Sequence, residues 1–185
     1  MIMKRSLFLL CALFLAGCSS LPTELESNQE NTIVTYTPFS DASESGSVVA
    51  VRLGGVIARI DNQAEKTRIE VVNLPISSAG KPDISEEPNG RFVVYMDGFV
   101  DLIAYAKGRL ITVLGKTASI EKGNVGDYEY SFPVINGSAL HLWQIQEYVV
   151  TNDFDMDYMP CRGTRCMYQR SHIDTRRGKV VQEVQ

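Results

Sequence analysis

The run Val48–Ile60, VVAVRLGGVIARI, sets the tightest limit on this chain: a long β-forming stretch with a glycine pair, Gly54-Gly55, at its middle. Valine and isoleucine suit a pleated, half-buried surface. Glycine inside such a run leaves nothing to pack and marks a bulge, or a bend where backbones approach closely. Gly108–Ile120 repeats the pattern around Gly115. Other strand-like runs are Thr67–Leu74, ended by Pro75, and Arg91–Met96, followed by the turn pair Asp97-Gly98. Tyr128–Ile135 and Ser138–Tyr148 complete the set, with Asn136-Gly137 between them as a hairpin signal. Residues 77–90 are dense in Pro, Gly and Ser and read as a loop, Lys122–Asp127 as a hairpin loop, and Phe99–Tyr105 as a helical turn or irregular crossover. Long strands bent at glycines predict an all-β fold, a small five- to six-stranded OB-like barrel with its crossover before the fourth strand. A β-sandwich is the alternative.

The N-terminus carries a different kind of information. Lys4-Arg5 precede the apolar run Leu7–Leu15, and Ala16-Gly17-Cys18 follow. A basic start, a short apolar stretch and small residues at its end describe a secretory signal peptide. The run is too short for a permanent membrane helix, which needs about 20 apolar residues. Leu15-Ala16-Gly17-Cys18 resembles the lipobox of bacterial lipoproteins, which implies cleavage between Gly17 and Cys18 and lipid attachment to the cysteine. The thiol would take a diacylglycerol, and the freed amine a further acyl chain such as palmitate. Single chains bind only marginally, whereas two or three anchor stably. Ser19 rather than aspartate after the cysteine points to the outer membrane by resemblance to enterobacterial sorting, with a soluble domain facing the periplasm.

The expected organisation is therefore a signal peptide at 1–17, a lipid-anchored flexible tether at 18–47, a β-barrel at 48–150 and a C-terminal extension at 151–185. Ser19–Asn31 is polar and without hydrophobic period, and it reaches roughly 20 Å as a random coil. Ile33–Thr37 has strand composition, Phe39–Ser47 reads as loop, and the slightly basic stretch Arg170–Gln185 as disordered. Loss of Lys4 and Arg5 with the signal leaves 16 basic residues against 22 acidic ones, near −6. Such a body has no electrostatic footprint for nucleic acid. No metal or other cofactor is expected.

The inventory for chemistry is thin. His141 and His172 are the two histidines, and His141 sits in the apolar strand Ala139–Trp143 as an ordinary strand histidine. Asp153, Asp155 and Asp157 have the alternation of a calcium loop, but an EF-hand needs glycine and glutamate where Tyr158 and Thr164 stand. Cys161 and Cys166 remain after the signal and the anchor are accounted for, an even number in an oxidising compartment, and predict a disulfide. Their four-residue spacer differs from thioredoxin-like redox motifs. Trp143, Tyr128, Tyr130 and Tyr95 are the candidates for a ligand face. The chain thus reads as non-enzymatic.

Arg52-Leu53-Gly54-Gly55-Val56-Ile57, Leu74-Pro75, Lys81-Pro82, Gly90-Arg91-Phe92, Gly98–Asp101, Val113-Leu114-Gly115 and Leu142-Trp143 occur in order. As a set they resemble the Slp family of starvation-inducible outer membrane lipoproteins, from about Val48 to Tyr148. The resemblance implies a lipid-anchored outer membrane protein linked to starvation or acid stress, and transfers no catalytic residue. The cysteine pair near the C-terminus departs from the aromatic tail associated with that family. Two functions follow as expectations. One is an envelope lipoprotein acting under stress by binding an unidentified component or by structural support. The other is a periplasm-facing module for a small ligand or oligosaccharide. Oligomeric state is not legible.

Overall fold

The computed structural model describes residues 21–150 and 179–185. They fall into two units, divided between Gln144 and Ile145. The first holds a 3₁₀ turn, Thr23–Leu25, a helix α1, Tyr36–Glu44, and five strands. These are β1 Ala50–Asn62, β2 Lys66–Leu74, β3 Gly90–Asp97, β4 Leu110–Val125 and β5 Tyr128–Trp143. The second holds β6 Ile145–Val150 and β7 Lys179–Val184, an antiparallel pair.

The five strands close into a barrel in the order β1-β2-β3-β5-β4, antiparallel except for the β3–β5 contact. The closed ring removes the sandwich alternative. Strand β1 shows how closure works. Its first half, Ala50–Val56, pairs with β4, and its second half, Gly54–Asn62, pairs with β2. The two pairings overlap at Gly54, Gly55 and Val56, where the strand passes from one neighbour to the other. A Cβ on Gly55 would stand 2.0 Å from the Val72 carbonyl oxygen, so backbones meet there as the sequence signal implied.

Alternation sets the interior. Val51, Leu53 and Ile57 of β1, Ile69 and Val71 of β2, Phe92 and Val94 of β3, Ile111 and Val113 of β4 and Ile135 of β5 form one buried cluster. Burying each such side chain contributes roughly 1.5–3 kcal/mol. Phe39 of α1 joins them, ring to ring with Phe92 at 5.8 Å.

That helix corrects the reading of Phe39–Ser47 as loop. Tyr36, Phe39 and Ser43 share one face of α1; Phe39 and Ser43 are buried, and the Tyr36 hydroxyl donates to the Arg91 carbonyl at 2.8 Å. Pro38 lies in the first turn, where its missing N–H costs nothing. The tether is shorter than expected for the same reason. Leu25 is fully buried and its carbonyl accepts from the Arg52 guanidinium at 3.0 Å, so the chain is already held against the barrel at Leu25. Ile33 forms a single parallel bridge to Val51 rather than a strand.

Asn136-Gly137 is not a turn either. Both lie inside β5, and Gly137 faces Gly115 beside a register shift in the β4–β5 ladder. A Cβ at Gly137 would lie 2.2 Å from the Met96 sulfur, so close approach of β3 accounts for the glycine. The β4–β5 turn sits at Gly126-Asp127, where Gly126 takes a φ of 62°. At the C-terminus, the stretch read as disordered contains β7.

Candidate functional site

Past Lys116, β4 runs on without β1, which begins at Ala50. Thr117 extends the junction instead. Its amide donates to the Val49 carbonyl at 3.0 Å, and its hydroxyl accepts from the Val49 amide at 2.9 Å. A second register shift, between Ala118 and Glu121, follows in the β4–β5 ladder. Between this stretch of β4 and Glu26–Gln29 lies a groove of about 540 Å³. Val48, Ala50, Leu114 and Ala118 give it an apolar floor, with Lys116 and Glu26 as its charged groups. It is built from backbone irregularities, which no side-chain pattern in the sequence marks.

The outer end of the β4–β5 hairpin lies over the outward faces of β2 and β3. Phe132, Val134 and Val93 form a small buried cluster there, with Tyr95, Tyr130 and Val125 against it. Above it the Arg68 guanidinium holds Glu121 through Nε at 3.0 Å and Nη2 at 2.7 Å, and the Tyr95 hydroxyl donates to the same carboxylate at 2.6 Å. Lys66 stands 3.8 Å over the Tyr95 ring. Burial disfavours the Glu121 carboxylate, but the bonds from Tyr95 and Arg68 outweigh it and hold its pKa below the ordinary value. Burial and the neighbouring Glu121 raise the Tyr95 phenol. Nearby, Arg91 pairs with Glu70 at 2.7 Å. Tyr36 is raised by burial and then by the Tyr130 hydroxyl 3.5 Å away.

This cluster has the chemistry of a structural clasp, with a pH signature. A carboxyl whose folded pKa is depressed stabilises the fold above its unfolded pKa, and that stability is lost as pH falls through the folded value. Glu121→Gln is expected to cost about 1–3 kcal/mol at neutral pH, by leaving Arg68 half-matched. The difference from wild type should shrink as pH drops below the ordinary carboxylate range. Urea unfolding at pH 7 and pH 3 measures it; an equal gap at both would contradict the clasp.

The four aromatics suggested for a ligand face are divided between places. Trp143 is 4% exposed, and its indole N–H donates to Thr112 Oγ1 at 2.9 Å. Tyr95 and Tyr130 pack on the outer cluster, and Tyr128 is 81% exposed beside the β4–β5 turn. His141 lies edge-on to Trp143, with Nδ1 2.6 Å from Glu24, whose pKa that bond lowers. Among the described residues no three His, Cys, Asp or Glu side chains gather as a metal site. Cys18 and Gly17, the Cys161–Cys166 pair, Asp153, Asp155, Asp157 and His172 lie outside the described residues. No described helix is long and apolar enough to cross a membrane.

Comparison with known proteins decides the family. The profile described as "Outer membrane lipoprotein Slp family" matches residues 15–173, beginning on Leu15, the first residue of the lipobox-like motif. The chain belongs to the Slp family of outer membrane lipoproteins. Among its relatives, an uncharacterized protein of Haemophilus influenzae is 36% identical over 83% of this chain and 85% of its own length. The Escherichia coli outer membrane protein Slp is 29% identical over 84% of this chain and 82% of its own. The E. coli lipoprotein YeaY is 27% identical over 75% and 72%. No solved structure gives a significant match.

Proposed function

We propose that this Slp-family protein is a non-enzymatic envelope lipoprotein, held in the outer membrane by lipid on Cys18 and serving the envelope under starvation or stress. The observation that carries it is the coincidence of two signals. The family match begins on Leu15, and Leu15-Ala16-Gly17-Cys18 has the residues a lipoprotein signal peptidase needs. A diacylglycerol thioether on Cys18 and an acyl amide on its nitrogen would supply three chains, enough for stable anchoring. The barrel then acts on the periplasmic side, by binding an envelope component or bracing it. In this compartment Cys161 and Cys166 would pair. A gene deletion should change survival or permeability under starvation, and Cys18→Ala should reproduce the deletion by releasing the protein. Full complementation by the unlipidated form would overturn the proposal.

The groove of about 540 Å³ favours a second reading, a small-ligand or oligosaccharide module. Its apolar floor without stacked aromatics suits a short acyl or peptide segment better than a sugar.

A further inference from the structure

We infer that the β3–β4 loop is a second membrane contact, inserting Phe99, Leu102 and Ile103 among the lipids of the leaflet that holds the anchor. This rests on the reading of Cys18 as the lipidated residue.

The length of the leash argues first. From Cys18 to Leu21 the covalent chain spans at most ~11 Å even when fully extended. From Leu21 on it is fixed to the barrel: Leu25 is fully buried, and Leu21 packs where a Cβ on Gly80 would fall, 2.8 Å from Leu21 Cδ1. A barrel so held cannot clear the headgroups, and one of its sides must rest on them.

Connectivity puts the loop near that side. Trp143 Cζ2 lies 3.9 Å from the same Gly80 position, and Trp143 is the cross-strand partner of Leu110. Leu110 opens β4, the strand into which the loop runs. Thus the chain's attachment point and the root of the loop share one part of the barrel wall.

The loop itself is rigid at its base and apolar at its tip. Val100 donates its amide to Thr67 Oγ1 at 3.1 Å and receives Asn62 Nδ2 on its carbonyl at 3.1 Å. Ile103 and Tyr105 amides donate to the Asp101 side chain and carbonyl, at 2.8 and 2.9 Å. On this base Phe99 is 77% exposed, Leu102 43% and Ile103 87%. Three large apolar side chains on one pinned loop are unusual at a water interface. They form a small projection, short of the roughly 800 Å² a stable protein partner covers. Charge agrees: between Gly98 and Arg109 the one acid, Asp101, is engaged with its own backbone, while Lys107 and Arg109 are basic in an otherwise acidic protein. Basic side chains beside an apolar wedge suit phosphate headgroups.

The test uses the mature, acylated full chain in vesicles of phosphatidylethanolamine and phosphatidylglycerol, with or without brominated acyl chains. Ile103→Trp and Phe99→Trp report from the loop. Glu44→Trp, exposed on α1, which packs near the start of β3 and away from the loop at its end, is the reference, and buried Trp143 sets the background. Blue-shifted emission of the loop indoles, quenched by bromolipid while the Glu44→Trp signal is not, is the expected result. Acylated, vesicle-bound protein whose loop indoles stay as unquenched as the reference would overturn the inference and leave the anchor intact. A blue shift without bromolipid quenching would mean a protein occupant, and would overturn it too. Missing acyl mass on Cys18 would defeat the anchor reading; quenching in that same sample would sustain the loop contact by itself, and no quenching would defeat both.

Discussion

Replacing Phe39 by alanine is expected to lower the unfolding free energy by about 3–5 kcal/mol, the range for removing a buried phenylalanine. Phe39 is fully buried and meets the rings of Phe92 at 5.8 Å and Tyr36 at 6.1 Å. Its loss removes one aromatic side chain from the cluster shared by all five barrel strands. A domain of this size has about 5–15 kcal/mol in total, so the variant should be barely stable at 37 °C. Phe99→Ala offers the contrast: the same change at an exposed position should stay within about 0.5 kcal/mol. Denaturant unfolding of the two variants measures the difference. Equal, small effects would mean that α1 is not part of the core.

Gly55→Ala should be nearly as damaging, for a different reason. Alanine ordinarily gains about 0.4–1 kcal/mol over glycine by restricting the unfolded chain. Here the new Cβ would stand 2.0 Å from the Val72 oxygen and 2.8 Å from its carbonyl carbon. Those are backbone atoms of the paired strand and cannot rotate away. Steric overlap wins, with a net loss of about 1–3 kcal/mol or more, and the barrel must open where β1 passes from β4 to β2. By contrast Gly98→Ala meets nothing within 4 Å; the left-handed backbone there, with a φ of 77°, supplies its only penalty. Thermal unfolding of both variants separates overlap from backbone strain, and a Gly55→Ala barrel as stable as wild type would contradict the close approach.

The barrel was legible because its glycines lie where geometry demands them. Gly54-Gly55 and Gly115 interrupt runs of β-branched residues, and such interruptions have few meanings other than a bend or a close backbone. Asn136-Gly137 carried the opposite lesson. The pair is a strong turn signal only when the glycine takes a positive φ, and Gly137 does not; its cause is the Met96 sulfur, contributed by a strand some forty residues earlier. Helix α1 was hidden because one aromatic and one small residue make up most of its buried face. Tyr36, Phe39 and Ser43 at helical spacing after Thr35 were the available signal, masked by Pro38 and the polar residues between them.

The candidate sites were less legible than the fold. In the sequence Trp143 and the three tyrosines share only their residue type; packing keeps Tyr95 and Tyr130 on one outer cluster and sends Trp143 and Tyr128 elsewhere. The Phe99–Ile103 tip looks like core material in one dimension, and its exposure follows from the fact that the loop leaves the barrel wall. The groove beside Thr117 arises from register shifts, which depend on how two strands pair rather than on either strand alone.

Lipid anchoring at Cys18 has one direct measurement: the mass of the N-terminal peptide from protein purified out of the outer-membrane fraction. Anchoring predicts a peptide that starts at Cys18 and carries a diacylglycerol with one further acyl chain. An N-terminus elsewhere, or an unmodified Cys18 in protein that still fractionates with the outer membrane, would contradict it.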